Sequence, residues 1–246
     1  MPAEPSARHT TLADRVVLIT GSTGPLGRVA AASFAAAGAK LGLVGMAKTR
    51  LDVLAADLHL EPDAWVGAKA DLRRTGDATR AVAEVMKRFG RVDVVLHLVG
   101  GWKGGTKIPD LNPDDLTRML EQHVWTTLHV ARAVVPGMVE RGWGRFIAVS
   151  ATVALDGAAG MAAYAIAKAG EEALLRTLAK EVAGSGVTAN VLVARKIDAA
   201  HEREKAPSPK NASWTTPEEL VAAMRFLCSD EASAVNGVRI PLTGRS

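Results

Sequence analysis

Short apolar runs alternate with longer amphipathic ones along this chain. Residues 15–20 (RVVLIT), 40–45 (KLGLVG), 64–70 (AWVGAKA), 92–100 (VDVVLHLVG), 145–150 (RFIAVS), 187–194 (VTANVLVA) and 237–244 (GVRIPLTG) are apolar on consecutive positions. That pattern predicts strands buried on both faces. Between them, 24–37, 47–58, 75–90, 113–141, 160–183 and 216–230 carry helical periodicity. Gly38 supplies a stop signal, and Thr216-Pro217-Glu218-Glu219 a start signal. Doubly buried strands separated by helices imply an α/β fold: a doubly wound, seven-stranded parallel sheet with helices on both faces. No repeat or linker divides the chain, so the expected organisation is a flexible lead at 1–14 and one domain over 15–246. The least patterned stretch, 195–215, reads either as a mobile lid over a substrate or as a plain surface loop.

Composition narrows the class. The 246 residues are 48% hydrophobic and 23% charged, as in an ordinary soluble globular protein, and only 4% aromatic, so the core must be aliphatic and alanine-rich. Cys228 is the sole cysteine, which excludes an intrachain disulfide and a cysteine metal cluster, and no metal site is expected. Within VAAMRFLC it reads as a buried small hydrophobe. The net charge is +4, from 30 basic against 26 acidic groups, and the basic residues are scattered or mixed with acids, as in HEREK at 201–205. A nucleic-acid footprint has only the pI of about 9.4 in its favour. No apolar run reaches the ~18 residues of a membrane span, and the N-terminus lacks an apolar signal core, so a cytoplasmic location is expected. Asn211-Ala212-Ser213 fits a glycosylation sequon, which without a signal peptide reads as a chance match.

TGSTGPLG (20–27) lies between the first strand and the first helix. A phosphate group needs a tight turn, close backbone approach and a helix N-terminus with free N–H groups. Gly21, Gly24 and Gly27 recur at the spacing such a turn uses, with Ser22, Thr23 and Leu26 between them. Pro25 suits the first helical turn, where a missing N–H costs little.

Several segments together resemble the short-chain dehydrogenase/reductase family over nearly the whole chain, 15–244. TGSTGPLG looks like that family's cofactor turn, in the spacing of its extended and ketoreductase members. Asp71-Leu72 matches the pair that contacts the adenine ring, and GRFIAVS the strand leading to the catalytic serine. TPEELVAAMRFLCSDEASAVNG resembles the family's last helix and the approach to its last strand. The resemblance implies a Rossmann-like fold and an NAD(P)(H)-dependent oxidoreductase that interconverts a carbonyl and a secondary alcohol on a small molecule. It also implies a homodimer or homotetramer paired through the helices at about 113–141 and 160–183.

The cofactor's identity turns on the end of the second strand. A carboxylate there would bond a ribose 2′-hydroxyl and repel a 2′-phosphate. This chain has Gly45 and Met46 instead. The arginine that many NADP-using relatives carry just after this strand is missing too; Lys48, Arg50 and Arg28 are nearby cations that either serve in its place or are solvated surface charges. The reading leans to NADP, with NAD still open.

Tyr164 is the only tyrosine, and Lys168 follows it at i+4 on the same helix face. A phenol titrates near ~10. An adjacent ammonium lowers that value, so the pair is expected to give or take a proton as hydride moves, and Lys168 also to hold the nicotinamide ribose. The resemblance places the serine thirteen residues before the tyrosine, and counting from either end reaches Ala151. Ser150 and Thr152 flank it, and alternation along a strand is expected to turn both away from the substrate unless a bulge intervenes. His97-Leu98-Val99-Gly100 stands where relatives carry Asn-Asn-Ala-Gly, which makes His97 and Gly100 cofactor-side candidates. His123 stands in place of a relay asparagine and either moves protons or fills a polar gap. Ala194-Arg195 replaces a Pro-Gly near the nicotinamide. Two readings stay open: a Tyr/Lys oxidoreductase, and a cofactor-binding protein of weak or lost redox activity with a binding, regulatory or non-redox role.

Overall fold

The computed structural model describes residues 12, 13 and 15–244, so the expected lead at 1–14 falls almost entirely outside the described residues. Seven strands form one sheet: β1 Val16–Thr20, β2 Lys40–Gly45, β3 Trp65–Lys69, β4 Val94–His97, β5 Gly144–Ala151, β6 Val187–Ala194 and β7 Arg239–Leu242. Their order is β3-β2-β1-β4-β5-β6-β7, and every neighbouring pair is parallel. The helices are α1 Pro25–Ala36, α2 Lys48–Asp57, α3 Thr75–Phe89, α4 Pro113–Leu120, α5 Thr126–Glu140, α6 Val153–Asp156, α7 Ala162–Glu181, α8 Glu202–Lys205 and α9 Pro217–Leu227.

Strand alternation divides the core into two layers. Val17, Ile19, Leu41, Leu43 and Ile147 pack against α1, α2 and α9 through residues such as Phe34, Leu54 and Met224. Val16, Leu18, Val95, Phe146 and Ala148 pack against α3, α5 and α7 through Val85, Val134 and Leu175. Strands β1 to β6 thus supply both layers, which is why their sequences are apolar at consecutive positions, while the edge strand β7 supplies Ile240 and Leu242 to one layer. The start signal of α9 is a full capping box: the Glu219 N–H donates to the Thr216 hydroxyl, and the Thr216 N–H to the Glu219 carboxylate at 2.8 Å.

Three expectations are corrected. The fourth strand ends at His97, not at residue 100, because the chain must turn away where strand order reverses between β1 and β4. The helix expected over 113–141 is interrupted by a π-helical turn, Glu121–Trp125, between α4 and α5. The stretch 195–215 is organised. It contains α8, whose first N–H groups at Glu202 and Arg203 donate to the buried Asp198 carboxylate at 2.9 and 2.8 Å. A parallel bridge ties Ile197 to Thr215. Asn211 is buried with its amide spent on Ser208, Glu202 and Ala206, so the sequon is not a presented acceptor. Cys228 is fully buried, and burial pushes its thiol up to about 12.

Candidate active site

A cavity of about 1120 Å³ opens at the carboxyl ends of the strands, above the point where strand order reverses. Open parallel sheets bind ligands at such switch points. The segments following β1 to β6 all contribute to its wall.

The glycine turn builds one side. Gly21 has φ +67°, and a Cβ there would stand 2.5 Å from the Leu98 carbonyl oxygen. A Cβ on Gly27 would lie 2.4 Å from the Gly21 oxygen, so only glycine lets α1 close onto the turn. Gly24 precedes α1 and gives it no side-chain cap, so the N–H groups of Leu26 and Gly27, both lining residues of the cavity, have no capping side chain. Gly21, Thr23, Gly24, Leu26 and Gly27 line this wall. Ser22 does not: it is fully buried behind the wall, and its hydroxyl donates to the Val44 carbonyl at 3.1 Å. Uncapped N–H groups and a cradle that a Cβ would fill suit a dinucleotide diphosphate.

Further along, Gly45, Met46, Ala47, Asp71 and Leu72 line the cavity, together with the cations Arg50 and Arg73. No acidic residue stands at the end of β2. Asp71 accepts two bonds from the Arg73 guanidinium, at 2.9 and 2.7 Å, and those bonds hold its carboxyl below the usual range. Arg28 and Lys48, considered for a phosphate, form exposed pairs with Asp57 and Asp52 and lie off the cavity wall. Arg73 was not anticipated from sequence.

His97 is a second correction: it lies under the floor, not on the wall. It is 1% exposed, and both ring nitrogens are engaged. Nδ1 is 2.9 Å from the Thr20 hydroxyl and Nε2 is 3.1 Å from that of Thr126. Thr126 donates onward to the Gln122 carbonyl at 2.7 Å, and the Leu98 N–H donates to Thr20 at 3.3 Å. One tautomer satisfies the whole chain: Thr20 donates to Nδ1, and Nε2–H donates to Thr126. Burial, with the Lys168 charge adding to it, lowers the imidazole to about 3, so the ring is neutral. Gly100 remains on the wall.

The chemical centre gathers β5, the π-helical turn and α7. Tyr164, Lys168, Ser150 and His123 all line the cavity. The ammonium of Lys168 donates to the Val149 carbonyl at 2.8 Å and to the Glu171 carboxylate at 2.7 Å. His123 donates through Nε2 to the Gly101 carbonyl at 3.0 Å, which leaves its buried Nδ1 as an acceptor with no partner among the described residues. Its ring meets Tyr164 edge-on, with centroids 5.6 Å apart at 69°. Burial, then the Lys168 charge, lowers His123 to about 2. Tyr164 departs from expectation: burial first, and then the Glu171 charge, push its phenol up to about 12.

Ser150 also departs from expectation. Strand β5 pairs regularly with β6 through Ser150–Val193 and Ala151–Ala194, without a bulge. Phe146 and Ala148 face the α7 layer, so alternation puts Ser150 on that same side. Its hydroxyl is buried at the cavity wall and has no hydrogen-bond partner among the described residues. Ala151 also reaches the wall, and Thr152 lies just beyond β5, at the start of α6.

The family follows from comparison as well as geometry. The sequence model described as short chain dehydrogenase matches residues 15–210. The chain belongs to the short-chain dehydrogenase family. It is similar to a subunit of (2S)-[(R)-hydroxy(phenyl)methyl]succinyl-CoA dehydrogenase of Thauera aromatica, 32% identical over 235 residues, 94% of this chain and 93% of that one. A crystal structure of a short chain dehydrogenase from Bacillus anthracis superposes with a TM-score of 0.85 at 26% identity, covering 96% of this chain and 97% of the other. Levodione reductase superposes at 0.84 and 28% identity, over 94% and 97%. As a short-chain dehydrogenase, the chain is an oxidoreductase of the NAD(P)-dependent class acting on small molecules. No helix among the described residues is long and apolar enough to cross a membrane.

Proposed function

We propose that this short-chain dehydrogenase interconverts a carbonyl and a secondary alcohol, with Tyr164 as the proton-transferring group. The observation that carries the reading is that Tyr164, Lys168 and Ser150, whose buried hydroxyl has no partner among the described residues, line the same cavity. A nicotinamide cofactor, when bound, would supply or accept the hydride. The glycine turn and the first turn of α1 would hold its diphosphate, and Lys168 its ribose. Ser150 donates its free O–H to the substrate oxygen and orients it. Tyr164 gives its phenolic proton to that oxygen as the carbonyl carbon is reduced, leaving a phenolate; in the oxidising direction the phenolate takes the alcohol proton back.

The cofactor reading leans to NADP(H). Arg50, after β2, and Arg73, after β3, both line the cavity, and no carboxylate stands at the end of β2 to oppose a 2′-phosphate.

The test measures binding of NADPH and NADH by fluorescence, then turnover on a carbonyl panel for wild type and Tyr164→Phe. Turnover that falls about 100-fold or more in the variant, with nucleotide binding kept, supports the mechanism. Turnover unchanged in Tyr164→Phe sinks it. Tight binding with no turnover on any carbonyl favours the second reading, a binding protein without redox activity.

A further inference from the structure

Lys168 carries a buried counter-charge. Tyr164, Lys168 and Glu171 sit at i, i+4 and i+7 of α7, one face of one helix. Lys168 and Glu171 are 4% and 1% exposed, and they pair at 2.7 Å. The Thr127 hydroxyl on α5 lies 3.1 Å from the other Glu171 oxygen and shares its single proton between that oxygen and the His123 carbonyl at 2.7 Å. Burial raises the Glu171 carboxyl, while the Lys168 ammonium and both hydrogen bonds oppose that rise. The remaining groups around the pair are accounted for. Glu172 is buried beside it and held by Arg239 of β7 at 3.1 Å. His97 and His123 are neutral.

We propose that Glu171 is a positioning residue that neutralises Lys168, so that Tyr164 is kept as the protonated phenol and the site is poised for carbonyl reduction. A lone ammonium beside a phenol stabilises the phenolate and readies a base. An ammonium already paired with a buried carboxylate presents a dipole, and its effect on the phenol largely cancels. The chemical meaning rests on the role proposed for Tyr164; the electrostatic claim does not.

Because Tyr164 is the only tyrosine, its ionisation can be read directly by the ultraviolet absorbance of phenolate, without substrate or turnover, while circular dichroism follows the fold at each pH. Wild type is expected to reach half-ionisation only at about pH 12, or to unfold first. Glu171→Gln, which keeps the shape and hydrogen bonding of the side chain, is expected to raise the phenolate fraction at a given pH by about tenfold or more. Lys168→Met is expected to move the midpoint up. The double variant Lys168→Met/Glu171→Leu removes both charges and is expected to titrate like wild type; it decides the matter if Glu171→Gln does not fold. Tyr164 titrating alike in wild type and Glu171→Gln, or far from wild type in the double variant, overturns the proposal. In turnover, Glu171→Gln should lose reduction at a lower pH than wild type. A protein that reduces no carbonyl, yet shows these titration shifts, defeats the functional reading and leaves the electrostatic one standing.

Discussion

Lys168 donates to the main-chain carbonyl of Val149 at 2.8 Å, one residue before Ser150. That bond ties α7 to the end of β5, so the helix bearing Tyr164 and the strand bearing Ser150 share one fixed point. A buried ammonium bonded to a carbonyl and a carboxylate has little freedom to move, and the two hydroxyls are positioned by packing before any ligand arrives.

The free Ser150 hydroxyl gives the sharpest prediction. Ser150→Ala removes a buried donor that no described protein group uses. Stability should therefore hold, since no internal bond is lost. Turnover should fall by about 100-fold, the cost of losing one positioned donor near developing charge. Thermal melts and kcat measured on the same preparations check both halves. A slow variant that is also destabilised would point to a structural serine.

Nucleotide choice should depend on the two arginines at the cavity wall. Losing a charge-assisted bond of about 1.5–3 kcal/mol weakens binding by roughly 10- to 100-fold. Arg50→Ala or Arg73→Ala should weaken NADPH by that order and leave NADH within about twofold. Arg73→Ala also frees Asp71, which Arg73 now holds through two bonds. Equal losses for both nucleotides would assign these side chains to general packing.

The architecture was legible because strands β1 to β6 each feed two helical layers. Ile147 faces one layer and Phe146 and Ala148 the other, so every position had to be apolar. The glycine turn was legible for a related reason: Gly21 and Gly27 stand where a Cβ would strike backbone. Ser150 was misjudged because a count from either end aligns positions along the chain. It does not measure the direction of a side chain on β5, which Phe146 and Ala148 fix. His97 looked like a cofactor contact from its place after an apolar run; only the three-dimensional neighbours Thr20 and Thr126 reveal a structural imidazole. Glu171 carried a visible signal, an acid three residues after Lys168, but its burial depends on how α5 packs on α7.

The His97 network predicts how the fold responds to acid. The folded-state value of His97 is about 3, against 6.5 for the free group. Below about 6.5 the unfolded chain therefore binds a proton that the folded chain refuses, and stability falls as pH falls through that window until about 3. Each such group contributes a slope of about 1.4 kcal/mol per pH unit. His123, lowered to about 2, adds a second slope of the same sign. Urea unfolding of wild type should thus weaken steadily on acidification from neutrality. His97→Gln loses hydrogen bonds to Thr20 or Thr126 and should start less stable at neutral pH, but its slope should be shallower by one proton. A variant with a lower baseline and an unchanged slope would mean that His97 is protonated in the folded protein, and the neutral chain of bonds from Thr20 to Gln122 would have to be redrawn.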